Sequence, residues 1–281
     1  MSVQANNEHN HCLNCGNVLS GTFCSNCGQK DIENLDRSIL KLIGNFFINT
    51  FFLDNRFLVS FKYLLLKPGV MTHEFLEGKR KKFFPPITLF LFINLIYFFF
   101  SPLSDYSLKL YDQITLQPHS KLAKKLVDER LNNREVDFKT YSLKYNSTSD
   151  NISKSVMILN VPMIAFFVFI ICLKTRKFYY DALIFSFHFF SFFLLSVLLG
   201  SFLIWLLSQI LSLFSYHSSF RFFLHVFVLI LPITYAGISF KNYAKLNWIK
   251  SLLGGLFIYL GLGLSQGAYR AIIFFLTYYT T

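Results

Sequence analysis

The sequence predicts an all-α membrane protein, with five transmembrane helices preceded by amphipathic helices and a small N-terminal cysteine module. Three observations carry that prediction. Of 281 residues, 53% are hydrophobic and only 15% charged, where an ordinary soluble domain carries about 25% charged residues. The apolar residues fall in long runs, and a run of about 20 is what a helix needs to cross the hydrocarbon of a bilayer. The formal charge of +12 is gathered largely in short turns between those runs, where it can set topology. A disordered chain is ruled out, and a water-soluble globule is disfavoured.

The cysteine module comes first. Cys12, Cys15, Cys24 and Cys27 form two knuckles, C-L-N-C-G and F-C-S-N-C-G-Q. Each Cys-x-x-Cys lets two thiolates bind one ion, and a closed four-cysteine tetrahedron is the usual structural zinc site. Gly16 and Gly28 follow the second cysteine of each knuckle, where the turn favours positive φ. The competing reading is a pair of disulfides, which needs an oxidising compartment. Met1 to His11 is polar and lacks the apolar stretch of an export signal. Residues 1–30 are therefore predicted to be a zinc ribbon holding a structural Zn2+ ion. His9 and His11 are substitute ligands that four thiolates leave without a role. Between Met1 and Gln29 there is no Lys or Arg, which argues against nucleic acid, because phosphates must be neutralised by cations. A protein partner, or stabilisation of the N-terminal region, fits the ribbon better. Cys172, inside an apolar run, reads as an inert core thiol.

Residues 31–85 turn amphipathic. From Ser38 to Leu53 the polar positions Lys41, Asn45 and Asn49 recur every four residues, one narrow wet stripe on a helix. Phe57–Leu66 ends at Lys67-Pro68-Gly69, and Val70–Glu77 ends at Gly78, a plausible helix C-cap. These helices are too interrupted to span, so they lie at the interface or pack against the bundle. The cluster Lys79, Arg80, Lys81 and Lys82 beside Phe83-Phe84 reads as a topological anchor and as a contact for anionic lipid headgroups.

Residues 86–281 carry the five predicted crossings: Pro86–Ser101, Lys154–Leu173, Ala182–Gln209, Phe222–Phe240 and Ser251–Tyr278. Basic clusters precede the first, separate the second from the third (Lys174, Arg176, Lys177), and separate the fourth from the fifth (Lys241, Lys245, Lys250). This alternation places the N-terminus and the ribbon in the cytoplasm and the C-terminus outside. Residues 102–153 become an exterior loop, with a helix over Ser120–Asn132 where Leu122, Leu126 and Val127 share a face.

Ionisable residues within spans are the natural candidates for function. Asp181 and His188, seven residues apart on one helix face, would form a polar site towards one side, and His225 with Arg270 towards the other. None is forced to the bilayer centre, so interfacial anchoring and interhelix hydrogen bonding compete with a solute path. The sequence holds no Walker loop, no dinucleotide-binding glycine fingerprint, no His-Glu-x-x-His and no Gly-x-Ser-x-Gly. No catalytic residues are assigned, and whether the chain is an enzyme stays open.

The run Leu53 to Pro86 behind the cysteine pair, with Lys67-Pro68-Gly69, Gly78-Lys79-Arg80-Lys81 and Pro85, resembles a bacterial domain-of-unknown-function family. Its members combine an N-terminal zinc ribbon with a multi-spanning domain. Asp181-Ala-Leu-Ile-Phe-Ser-Phe-His188 is similar to that family's second signature, with Ala182 in place of an expected His. Five spans behind amphipathic helices are also similar, at the level of fold, to Yip1-type membrane proteins. The resemblance implies architecture and brings no activity. The expected role is a scaffold or regulator of the bacterial cytoplasmic (inner) membrane, with the lipid bilayer around it and a protein partner on the ribbon. A lipid or small-solute transporter capped by the ribbon is the alternative, and a homo-oligomer is left open.

Overall fold

A computed structural model describes residues 11–30, 55–100, 108–211 and 218–281, and for 204, 207, 208, 210, 211 and 218–229 the backbone alone. The predicted helix over Ser38–Leu53 lies outside the described residues. The helices are α1 (Asn55–Leu66), α2 (Val70–Leu76), α3 (Pro86–Phe100), α4 (Leu110–Thr115), α5 (Ser120–Arg134), α6 (Phe138–Val156), α7 (Asn160–Cys172), α8 (Tyr179–Leu211), α9 (Ser218–Ala244) and α10 (Trp248–Thr280).

Helix α8 is the axis of the bundle. Every residue from Tyr180 to Phe192 is buried, the polar Asp181, Ser186, His188 and Ser191 among them. It packs against α1, α2, α3, α7 and α9. Helices α9 and α10 pair closely because their glycines allow it: a Cβ on Gly255 would stand 2.5 Å from the Ile233 carbonyl oxygen, so two backbones meet where side chains would hold them apart. Gly261 likewise admits the ring of Phe167 from α7.

Helices α1 and α2 pack on this bundle rather than lying apart from it. Their connection, Lys67-Pro68-Gly69, presses on α9. Gly69 has φ 73°, and a Cβ there would stand 2.3 Å from the Ser239 carbonyl oxygen. Asn242 donates to the Pro68 carbonyl at 2.8 Å and the Tyr235 hydroxyl donates to that of Leu64 at 2.8 Å. Helix α2 stops in a Schellman arrangement: the Lys79 N–H reaches the Glu74 carbonyl at 3.0 Å and the Gly78 N–H that of Phe75 at 3.2 Å. Gly78, at φ 99°, occupies the left-handed position that this closure favours.

The predicted fold needs two corrections. By length and composition, three helical stretches among the described residues can cross a membrane, not five: Phe138–Cys172, Tyr179–Leu203 and Trp248–Thr280. Helix α3 has 15 residues, about 22 Å at 1.5 Å per residue, short of the ~30 Å hydrocarbon thickness. The predicted Phe222–Phe240 crossing falls on α9, whose side chains at 218–229 lie outside the described residues.

Residues 108–153 form more than a loop. Helix α6 runs through a short 3-10 turn (Met157–Leu159) into α7. Its buried positions Tyr141, Tyr145, Ser149 and Ser153 repeat every four residues, and the Tyr269 hydroxyl of α10 donates to the Ser153 carbonyl at 2.9 Å. Leu110, Ala123, Val127, Tyr141 and Tyr145 enclose Phe274 in a second core. On α5 Ala123 and Val127 are buried and Leu126 packs partly buried against the same core, whereas Leu122 is exposed. The end of α10 is received there by cations. Arg134 and Lys144 each donate to the Thr281 carbonyl at 3.0 Å, and Arg130 lies over the Tyr278 ring at 3.7 Å. Last-turn carbonyls lack helical partners and carry partial negative charge, so basic groups suit them.

Candidate functional site

The ribbon is an eight-residue unit used twice. His11 to Val18 and Phe23 to Lys30 share the order x-Cys-x-Asn-Cys-Gly-x-x, and each is closed by one antiparallel bridge, His11 with Val18 and Phe23 with Lys30. In the first unit the Cys12 N–H donates to the Asn17 carbonyl at 2.7 Å and the Gly16 N–H to that of Cys12 at 2.8 Å. The second repeats this through Cys24, Gln29 and Gly28, each bond being 2.8 Å. Gly16 and Gly28 take φ 77° and 66°, the left-handed conformation predicted for both turns.

The four sulfurs converge within 4.8 Å of one another. Cys12 and Cys27 approach to 3.5 Å, and Cys15 and Cys24 to 3.6 Å. None is in a disulfide. A tetrahedral thiolate site with bonds of about 2.3 Å separates its sulfurs by about 3.8 Å, so the cluster can hold one metal ion. The thiols differ in character: burial pushes Cys12 up to about 11, while the Cys27 N–H, ahead of other contacts, pulls Cys24 down to about 7. Bound metal favours the thiolate form of all four. His11 is outside the cluster, with Nδ1 3.3 Å from the Gly16 carbonyl, and His9 lies outside the described residues.

The ribbon is docked. Gln29 is buried and uses both ends of its amide: Nε2 donates to the Gly78 carbonyl at 2.8 Å, and Oε1 accepts from the Lys81 N–H at 3.2 Å. Leu13 covers Gly78 so closely that a Cβ there would stand 2.7 Å from its Cδ1.

The basic cluster beside this dock is only partly open. Lys81 is exposed and Lys79 partly so. Arg80 lies over the Phe75 ring at 5.5 Å. Lys82 binds Glu74 at 2.5 Å and the Tyr63 hydroxyl at 2.8 Å. Burial alone would lower the Lys82 pKa, but the hydrogen bonds to Glu74 and Tyr63 outweigh it and raise it. The same Lys82 bond lowers that of Tyr63.

Among the four intramembrane candidates, Asp181 and His188 are buried on α8. His188 Nδ1 pairs with the Thr72 hydroxyl of α2 at 2.8 Å, so its hydrogen-bond partner is on a neighbouring helix rather than one turn pair away on its own. Asp181 occupies the first turn of α8, where a carboxylate suits the helix dipole. Arg270 is half-buried, its carbonyl accepting from Gln113 at 3.4 Å, and the side chain of His225 lies outside the described residues.

Sequence reasoning missed a clamp. Arg176 counted only as loop charge, yet its Nη2 reaches His73 Nδ1 at 3.1 Å, the Tyr243 carbonyl at 3.3 Å and Glu77 at 3.4 Å, tying α2 and α9 to the α7–α8 turn. As acceptor from Arg176, His73 must be neutral at Nδ1. Burial, ahead of the competing charges of Glu77 and Arg176, lowers its pKa. Its folded pKa is thus below the ordinary value of about 6.5, and the folded state binds fewer protons than the unfolded one as pH falls below that value. Stability from this group is present above about pH 6.5 and lost below it. Thermal unfolding followed by circular dichroism should show a lower melting temperature at pH 5.5 than at pH 7.5, with a smaller drop in a His73→Gln chain.

Residues 54–98 match the profile of a family described as "Protein of unknown function (DUF3667)". The matched segment holds α1, α2 and nearly all of α3, with the Gly69 turn and the Gly78 turn between them. No curated protein and no solved structure matches the chain.

Proposed function

We propose that this chain is a scaffold or regulatory protein of the bacterial cytoplasmic membrane, whose zinc-loaded ribbon presents a cytosolic surface to a protein partner. The coarse part is plain: apolar helices of spanning length make it a membrane protein. Zinc is the ion that four convergent thiolates favour in a closed tetrahedral site, and thiolates persist on the reducing side of the membrane.

The observation behind the partner is the ribbon's uncovered apolar surface. Val18 and Phe23 are 58% and 62% exposed, while Gln29 fixes the ribbon to the bundle. A ribbon that only stabilised the bundle would have little use for exposed apolar groups at both bridges. Cross-linking in native membranes followed by affinity capture should recover a partner from the parent chain. Capture should fall at least about tenfold, equivalent to about 1.4 kcal/mol, in a Val18→Ser, Phe23→Ser chain that keeps its zinc. Equal capture from both chains counts against the proposal. Transport of lipid or solute is the second reading, motivated by Asp181 and His188 buried in α8, and flux in reconstituted vesicles would favour it.

A further inference from the structure

The two ribbon units diverge where they meet the bundle. Gln29 of the second unit corresponds to Asn17 of the first, and Leu13 of the first to Ser25 of the second. Asn17 and Ser25 are exposed. Their counterparts carry the longer amide and the apolar side chain, and both of these engage Gly78. Each knuckle therefore supplies one docking residue, and the dock depends on both knuckles keeping their mutual geometry.

That geometry is set by the cysteines. The Gln29 carbonyl accepts from the Cys24 N–H at 2.8 Å, and Leu13 lies between Cys12 and Cys15. Among the described ribbon residues the buried ones are Cys12, Cys24 and Gln29. An apolar core is absent there, and a unit this small does not hold its shape without its metal. The docked turn, Gly78-Lys79-Arg80-Lys81, leads through Lys82 to Pro86 at the start of α3.

We infer that the four-cysteine site is a latch: metal occupancy keeps Gln29 and Leu13 on the Gly78–Lys81 turn, and metal loss frees the backbone of that turn. This rests on the metal reading of the cysteines. The coupling is reciprocal, so the dock raises metal affinity by the factor by which metal favours the dock. The freed turn exchanges a Lys81 N–H held by Gln29 for one held by water, and its backbone, next to the already exposed Lys81, becomes able to enter a protease.

Limited trypsin digestion of the full chain in nanodiscs, with cleavage sites mapped by mass spectrometry, tests this. Zinc removal should speed cleavage at Lys79–Lys82 by at least about tenfold, equivalent to about 1.4 kcal/mol, with cleavage at the exposed Lys124 and Lys125 of α5 unchanged. In chelator competition, Gln29→Ala and Leu13→Ser chains should each retain one zinc but bind it more weakly, by about fivefold or more, the lower end of the usual span of coupling energies. An Asn17→Ala chain should match the parent. Zinc bound with unaltered turn cleavage and parent-like affinity in both docking variants overturns the latch. Absence of bound zinc from the parent chain overturns the metal reading itself.

Discussion

A Gly69→Ala chain is expected to fold poorly or not at all, with a loss of at least about 4 kcal/mol, the range reserved for backbone or core disruption. Two costs combine. At φ 73° a residue with a Cβ sits in the left-handed region, at about 1–2 kcal/mol. The larger cost is contact. The added carbon would stand 2.3 Å from the Ser239 carbonyl oxygen, 2.7 Å from its Cα and 2.9 Å from its carbonyl carbon. These are backbone atoms within α9, with no rotamer to escape through. To relieve the clash the turn must lift, and lifting it breaks the hydrogen bonds of Asn242 to Pro68 and of Tyr235 to Leu64. A Gly263→Ala chain is the matched control. It adds the same methyl group to α10, where nothing lies within 4 Å, and helix propensity alone favours Ala by about 1 kcal/mol. Thermal unfolding in one detergent, with monodisperse yield, should separate the two chains by sign. Parent-like melting of Gly69→Ala would mean that the α1–α2 turn does not press on α9 as described.

What was legible in the sequence was local. Pro68-Gly69 and Gly78 punctuate α1 and α2 because proline and glycine act on the backbone where they stand. The cysteine spacing likewise carries its chemistry within a few residues, and the four sulfurs converge. Contacts between distant segments were not legible. A glutamine after a knuckle looks like any surface amide, and its partners are 49 and 52 residues further along. The charge of Arg176 is visible in the sequence, whereas its position is set by groups on α2 and α9.

Helix α6 is an intermediate case. Its inward stripe of Tyr141, Tyr145, Ser149 and Ser153 has a helical period, but hydroxyl-bearing residues do not register as an apolar face. Its hydropathy alone therefore reads as a loop, and the helical period shows only when hydroxyl-bearing residues count as inward-facing. Among the described residues three stretches rather than five have the length and composition to span, the predicted Phe222–Phe240 crossing lying on α9, whose side chains at 218–229 are outside them. Helix α3 is apolar throughout, but at 15 residues it is too short to cross, and length decides that.

The second large effect belongs to the ribbon. A Cys24→Ser, Cys27→Ser chain is expected to lose its zinc, retaining below about a tenth of the parent's content, because two hydroxyls replace two of four thiolate ligands. Structural zinc contributes about 10–16 kcal/mol in isolated fingers, and with the described ribbon burying little beyond Cys12, Cys24 and Gln29, no apolar core replaces that contribution. The helical bundle should survive, since its core runs through α1, α2, α3, α7, α8, α9 and α10 without a ribbon residue. Elemental analysis should therefore fall while far-ultraviolet circular dichroism keeps its helical amplitude. A chelator applied to the parent chain should reproduce the variant, and a reductant alone should leave the parent unchanged. The opposite pattern, with sensitivity to reductant and indifference to chelator, would assign the cysteines to sulfur–sulfur bonding and place the ribbon in an oxidising compartment, on the other face of the membrane.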